Sequence, residues 1–354
     1  MELFFLGYYV SKNIKSKKEL GIIAAIFSIT VIGESLLAIA QYIHQGSING
    51  FLYFLGERKF TAGTPGIANA SINGELILRP YGTFPHPNVL AGFLLCSLIL
   101  IFAWFEEKND IKKKLLKIIA LLLGSIALFL TLSRVAIVLW ILLVLIALFR
   151  HFFSCHSPEQ GNPVVKNILS LFIVIIFISL LIFTPVLPRL EGTNFTEEAI
   201  SQREDLLKST LIMIKDHPLF GVGLFNFLPG ISHIQKPLSS TLYLQPVHNI
   251  FLLVTAEIGI IGAAFFLWFL FKTYNRLLFY LSLRGRTELM RRSPLASSAE
   301  RDKGVQLKQA KQSPAILLIL LSVILILGLF DHYWLTLQQG QLLFAIILGL
   351  CWAL

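Results

Sequence analysis

Apolar residues run through this chain in long blocks separated by short polar ones. Many blocks approach the length that carries a helix across a hydrocarbon core, about 18 to 25 residues. Windows of this kind predict helices near 20–44, 87–105, 115–132, 134–149, 167–187, 249–271, 314–331 and 337–354, with a shorter apolar stretch at 1–11. The ten-residue alternating segments that mark a membrane barrel do not occur in the sequence. Backbone amides in lipid must find partners within the chain, so the expectation is all-α: a polytopic helical membrane protein of about eight or nine spans. The whole of 1–354 reads as a single transmembrane domain, with a long extracytoplasmic loop at 188–248 and a basic cytoplasmic loop at 272–313.

Composition sharpens this picture. The residues are 55% hydrophobic and only 14% charged, which fits a chain whose surface is mostly lipid. A formal net charge of +10 could suggest nucleic acid, but no base-reading motif accompanies it, so nucleic acid is not expected as a partner. Most of the 30 basic residues fall instead at 12–19, 106–117, 150–166 and 272–313, the segments that share one side if the spans alternate. By the positive-inside rule that side is cytoplasmic, leaving 45–86, 188–248 and Asp331-His332 outside. Residues 283–313, rich in Ser, Arg, Lys and Gln, read as a flexible connector. Cys96 and Cys351 lie in apolar blocks and Cys155 in a short loop, so neither a disulfide nor a Cys/His zinc spacing is indicated. Neither metal nor redox chemistry, nor a cofactor, is expected. Leu3–Val10 is too short for a leader and is followed by lysines, the reverse of a cleavable signal.

Candidate chemistry gathers in the outer segments. His248-Asn249 stands at the mouth of the 249–271 block, with Gly259-Ile260-Ile261-Gly262 further in. An imidazole there can handle a proton on a substrate delivered in the bilayer, or serve as an interfacial side chain. Asn194 and Glu197 have the spacing of a capping box, and 196–216 follows a helical period that ends before Pro218. Arg203 is the one charge on its apolar face, where it either snorkels to headgroups or a carboxylate, or clamps a phosphate with its planar fork. Arg134 opens a span after a tight turn, as an interfacial anchor or an anion ligand. Arg79 and Asn88 flank Pro80-Tyr81-Gly82-Thr83-Phe84-Pro85-His86-Pro87, a stiffened re-entry that is either structural or substrate-binding. Three arginines and a histidine on one wet face suit a pyrophosphate-bearing lipid, with cations holding the leaving group. Glu257 lies on the far side of the helix from His248 and reads as an interior polar contact, and Asp331 and His332 as helix-end or catalytic residues in equal measure.

The runs Gly82-Thr83-Phe84-Pro85-His86-Pro87-Asn88, Thr131-Leu132-Ser133-Arg134, Asp216-His217-Pro218-Leu219-Phe220-Gly221-Val222-Gly223 and Val247-His248-Asn249 resemble the O-antigen ligase and O-antigen polymerase family of bacterial membrane glycosyltransferases. The resemblance covers roughly residues 75–350 and is strongest from Arg203 through Gly262. It implies a fold similar to lipid-dependent (GT-C type) glycosyltransferases in the bacterial plasma membrane. It also implies metal-independent transfer of a glycan from undecaprenyl pyrophosphate to a glycan, lipid or protein acceptor on the outer face. Arg134 and Arg203 match the family's pyrophosphate arginines and His248 its acceptor-activating base, with Arg79, Asn249 and Asn88 expected to bind substrate. Family members commonly carry more spans than this chain, so a shortened or reduced member is expected. A flippase for lipid-linked sugars and a protein O-oligosaccharyltransferase are the alternative readings.

Overall fold

The computed structural model describes residues 1–14, 16–72, 75–104, 111–154, 197–234, 245–292 and 313–354. The described helices are α1 (Glu2–Asn13), α2 (Lys17–His44), α3 (Pro87–Trp104), α4 (Ile111–Leu130), α5 (Arg134–Ser154), α6 (Glu197–Asp216), α7 (Phe227–Ile234), α8 (Ile250–Arg292), α9 (Pro314–Phe330), α10 (Tyr333–Thr336) and α11 (Gln338–Trp352); all but α7 and α10 correspond to an apolar block or, for α6, to the amphipathic period. The span predicted at 167–187 lies outside the described residues. By length and composition, Lys18–His44 and Ile250–Gly285 can cross a membrane, and Pro87–Ala103, Arg134–Phe149, Pro314–Phe330 and Gln338–Trp352 are shorter apolar helices.

One boundary differs from the sequence reading. The apolar block ends near 271, yet α8 continues to Arg292. Its continuation packs: Thr273 and Leu277, one turn apart, are fully buried, and Thr273 Oγ1 accepts the Trp352 indole N–H at 3.0 Å. Arg276 lies 5.2 Å from the ring centres of both Tyr280 and Trp352. Cation–π contacts and burial extend the helix beyond its apolar stripe.

The chain divides into two compact units, one of Met1–Ile26, Phe102–Lys108 and Phe195–Leu354, the other of Phe27–Ile101 and Asn109–Asn194. In the first, α1 runs along α11 and α8 packs on α9, where the Tyr274 and Ser322 hydroxyls meet at 2.7 Å. Pro314 opens α9 at a position whose amide needs no helical partner, and Leu317, Leu321 and Ile324 behind it are fully buried. A separate core of Leu206, Met213, Phe227, Ile231, Val247, Leu253 and Ala256 locks α6 and α7 against the start of α8, with Leu335 of α10 packed on it.

In the second unit Phe93 of α3 stacks on Phe27 at 6.0 Å and packs against Phe84 at 5.0 Å with the rings tilted. The loop between α2 and α3 is ordered by a hairpin absent from the sequence reading, β1 (Asn69–Ile72) paired antiparallel with β2 (Glu75–Leu78), over a small core of Phe60, Leu78 and Tyr81. Two buried side chains then fix the path. Gln41 Oε1 accepts the amides of Tyr81 and Gly82 at 2.9 and 2.8 Å, while its Nε2 donates to Glu57 at 2.9 Å. Glu57 in turn accepts the amides of Ile48 and Asn49, each at 2.7 Å. Carboxylate and amide bonds of this kind replace the water that a loop backbone would otherwise need.

Candidate functional site

The helix predicted at 196–216 forms as α6. Leu206, Thr210 and Met213 make its buried stripe, and Arg203 continues that stripe one turn earlier, where the helix surface opens to solvent. Glu204 and Lys208 pair at 2.7 Å on the outward arc, as the period places them.

The loop after α6 explains the two glycine motifs. Helix α8 is broken at Gly259, whose φ of 68° and ψ of −178° no helical residue adopts. The groups freed by the break bond to the loop. Ala256 O accepts the Val222 amide at 3.0 Å, Glu257 O accepts the Gly223 amide at 2.8 Å, and the Ile260 amide donates to Pro218 O at 2.8 Å. A Cβ on Gly259 would stand 2.2 Å from Leu219 O, and one on Gly221 2.4 Å from the Glu257 carbonyl carbon. His217-Pro218-Leu219-Phe220-Gly221-Val222-Gly223 and Gly259-Ile260-Ile261-Gly262 are therefore the two sides of one close backbone contact. The Glu257 carboxylate accepts the Phe225 and Phe227 amides, closing the same junction.

This junction and the core beneath it set the start of α8. Asn249 caps it: Oδ1 accepts the Phe251 and Leu252 amides at 2.9 and 3.0 Å, and Nδ2 donates to Leu329 O at 3.3 Å. His248 is thereby held half-buried against the corner between α9 and α10. Its ring centre lies 5.4 Å from that of His332, edge to face. Ligand atoms of His248, Asp331 and His332 all fall within 4.8 Å of one another. Among the described residues nothing bonds His248 Nδ1, a buried nitrogen. Burial pushes the His248 pKa down to about 4; Asp331 opposes this, while Arg203 and His332 reinforce it. Burial also lowers His332, again against Asp331. Both imidazoles are thus neutral near physiological pH, and Arg203 is near enough for its charge to be felt at His248.

The second unit holds Arg79, Asn88 and Arg134. Arg79 is buried, its Nε donating to Thr131 O at 2.7 Å and its Nη2 to Asn88 Oδ1 at 2.6 Å. Asn88 follows the Pro87 that opens α3, and its amide donates to His86 Nδ1 at 3.1 Å. Arg58 adds a further tie, donating to Pro85 O with its guanidinium 5.5 Å from the Tyr81 ring centre. Arg134 is the first residue of α5, half-buried, after a turn in which Leu132 takes a φ of 53°. Within the first unit His248 and Asn249 stand side by side at the start of α8, with the charge of Arg203 felt at His248; within the second Arg79 is joined to Asn88.

Asp331 and His332 belong with His248, which the sequence reading left undecided, and Thr336 was not singled out at all. The signal available for it was its position four residues after His332, one helical turn, at a polar corner between two apolar blocks.

Residues 119–267 match the O-antigen ligase family model. The resemblance drawn from the short motifs is borne out over that stretch, which contains Arg134, Arg203, His248 and Asn249. It supports a membrane glycosyltransferase of the O-antigen ligase or polymerase type, and the long apolar helices agree with membrane residence. No curated protein sequence matches the chain.

Proposed function

We propose that this protein moves a glycan from undecaprenyl pyrophosphate to an acceptor hydroxyl on the outer face of the bacterial plasma membrane, as a multi-pass enzyme of about eight or nine spans. The acceptor oxygen bonds to the anomeric carbon, the bond from that carbon to the pyrophosphate breaks, and its electron pair leaves with the pyrophosphate. His248 takes the hydroxyl proton, and Arg203 neutralises the departing charge with a bidentate fork. Arg134 is assigned the same anion on the family resemblance alone, and Arg79, Asn88 and Asn249 hold the segments that receive the substrates. The step needs no metal in this reading, because guanidinium groups stabilise the leaving group. The carrying observation is the family match over 119–267, supported by a neutral His248 whose buried Nδ1 has no partner among the described residues and lies within the field of Arg203. Burial is the main depression of His248, and a pyrophosphate bound at Arg203 would offset the smaller one from the guanidinium charge, raising the imidazole's basicity as the substrate arrives.

One observation favours a second reading, a carrier of lipid-linked sugar. Broken helices mark transporter sites, and α8 is broken at Gly259. The freed backbone groups at this break, however, bond the 217–226 loop, which gives the break a structural role. A single experiment separates the two. Protein reconstituted with undecaprenyl-pyrophosphate glycan and lipid, glycan and protein acceptors is expected to yield a new glycosylated product and free undecaprenyl pyrophosphate. Donor moved between leaflets with no product would establish the carrier instead.

A further inference from the structure

We propose that His248, His332 and Asp331 form a binding site for a divalent transition-metal ion of the zinc class, and that an ion held there takes His248 out of use as a base. The three side chains come from the link before α8 and from the corner between α9 and α10, and their ligand atoms already lie within 4.8 Å of one another. Zinc bonds of about 2.0–2.2 Å hold neighbouring ligand atoms roughly 3.4 Å apart in a tetrahedron, so closure requires side-chain rotation of an ångström or so. Two imidazole nitrogens and one carboxylate oxygen select zinc, nickel or copper over magnesium or calcium, which take oxygen.

The surrounding bonds present the right atoms. Thr336 Oγ1 stands 2.7 Å from His332 Nδ1 and 3.1 Å from the His332 carbonyl, to which it donates its one proton. In the tautomer in which that proton stays on the carbonyl, the hydroxyl accepts from Nδ1–H and Nε2 presents a bare lone pair. This is the outer support that ligating histidines use. The Asp331 carboxylate is oriented by the His332 amide at 2.8 Å. Among the described residues nothing bonds His248 Nδ1, a buried acceptor or donor, a cost that an ion would remove. Arg203 opposes a cation here, but its side chain is exposed and its field is screened by solvent, whereas Asp331 is adjacent.

Binding rests on the geometry; the block on catalysis rests on the glycosyl-transfer reading. The test uses full-length protein in detergent, stripped with chelator and titrated with zinc alone against a chromophoric competitor. One zinc per chain is expected, with affinity reduced more than tenfold in His332→Ala and Asp331→Asn. Thr336→Val, which leaves every ligand in place, should weaken binding about 10- to 100-fold through the lost orientation. Zinc should also raise the melting temperature of the wild type and not that of the doubly substituted His248→Ala/His332→Ala protein. An affinity unchanged in that double variant, or no zinc bound by the wild type, would overturn the site, since ions on cysteines would survive these substitutions. In the transfer assay, zinc at saturating occupancy should stop turnover, and chelator should restore it. Zinc bound as expected without loss of transfer would leave the metal site standing and overturn His248 as the base.

Discussion

Arg203, expected to grip the pyrophosphate, and Arg79, expected to bind substrate, sit in opposite physical states. Arg203 projects from the open end of a buried stripe on α6, exposed, with its charge registered at His248. Arg79 is buried, and its fork ties a loop to the end of α4 through Thr131 O and to α3 through Asn88. A guanidinium in the first state can exchange water for phosphate at small cost. One in the second must first break charge-assisted bonds inside the protein, each worth about 1.5–3 kcal/mol. Residue type alone therefore does not assign an anion ligand; the existing partners of its donors do. The comparison predicts that Arg203 variants lose transfer and keep stability, and that Arg79 variants lose stability first.

The strongest break would come from His248, the group that gives the Arg203 region its chemistry. His248→Ala is expected to lower transfer by about 10²- to 10⁴-fold, the range of general base catalysis, with no fall in melting temperature. Retention of wild-type turnover in reconstituted membranes would remove the imidazole from the reaction and leave Arg203 without a partner. Next comes Arg79→Met, which keeps the stem and removes the donors to Thr131 O and Asn88 Oδ1. We expect a loss of about 2–4 kcal/mol of unfolding free energy, read as a lower denaturation midpoint in detergent. An unchanged midpoint together with weakened donor binding would reverse the comparison and make Arg79 the ligand. Arg203→Lys should then cost about 1.5–3 kcal/mol of transition-state binding, roughly ten- to a hundredfold in kcat/KM, because an ammonium cannot offer two parallel donors. A rate within twofold of wild type would assign Arg203 to headgroup anchoring.

How much of this was legible in the sequence depends on distance along the chain. Helix positions and the amphipathic α6 followed from local period, and the start of α8 at Ile250 followed from the apolar block. The hairpin Asn69–Leu78 did not, because its four-residue strands are too short to show alternation. The loop-to-helix junction was visible only as two glycine motifs in family order; that Gly221 and Gly259 face one another is a tertiary fact. The His248, Asp331 and His332 cluster shows no metal spacing along the sequence for the same reason. Its members lie in separate stretches, brought together by packing of α9 and α10 beside α8 rather than by a local motif. Arg203 was read correctly as lying on the face that bears Leu206 and Met213, but whether its end is covered depends on what lies across from it.

The smallest effect is also the finest probe of the comparison, because it concerns the residue beside His248. Asn249 was expected to bind substrate, and the structure gives its Oδ1 to the first free amides of α8. Asn249→Asp keeps an acceptor at the cap and adds a negative charge at the positive end of the helix, so stability should hold or rise slightly. Asn249→Ala removes the acceptor and should cost about 1 kcal/mol. If Asn249 acts only as a cap, transfer should follow stability in both variants, with the aspartate close to wild type. A substrate contact predicts the opposite for the aspartate: a stable protein whose KM for the anionic donor rises, because the new carboxylate stands next to the histidine that receives the proton. Measuring KM and melting temperature on the same two proteins therefore decides whether the asparagine serves the helix or the ligand.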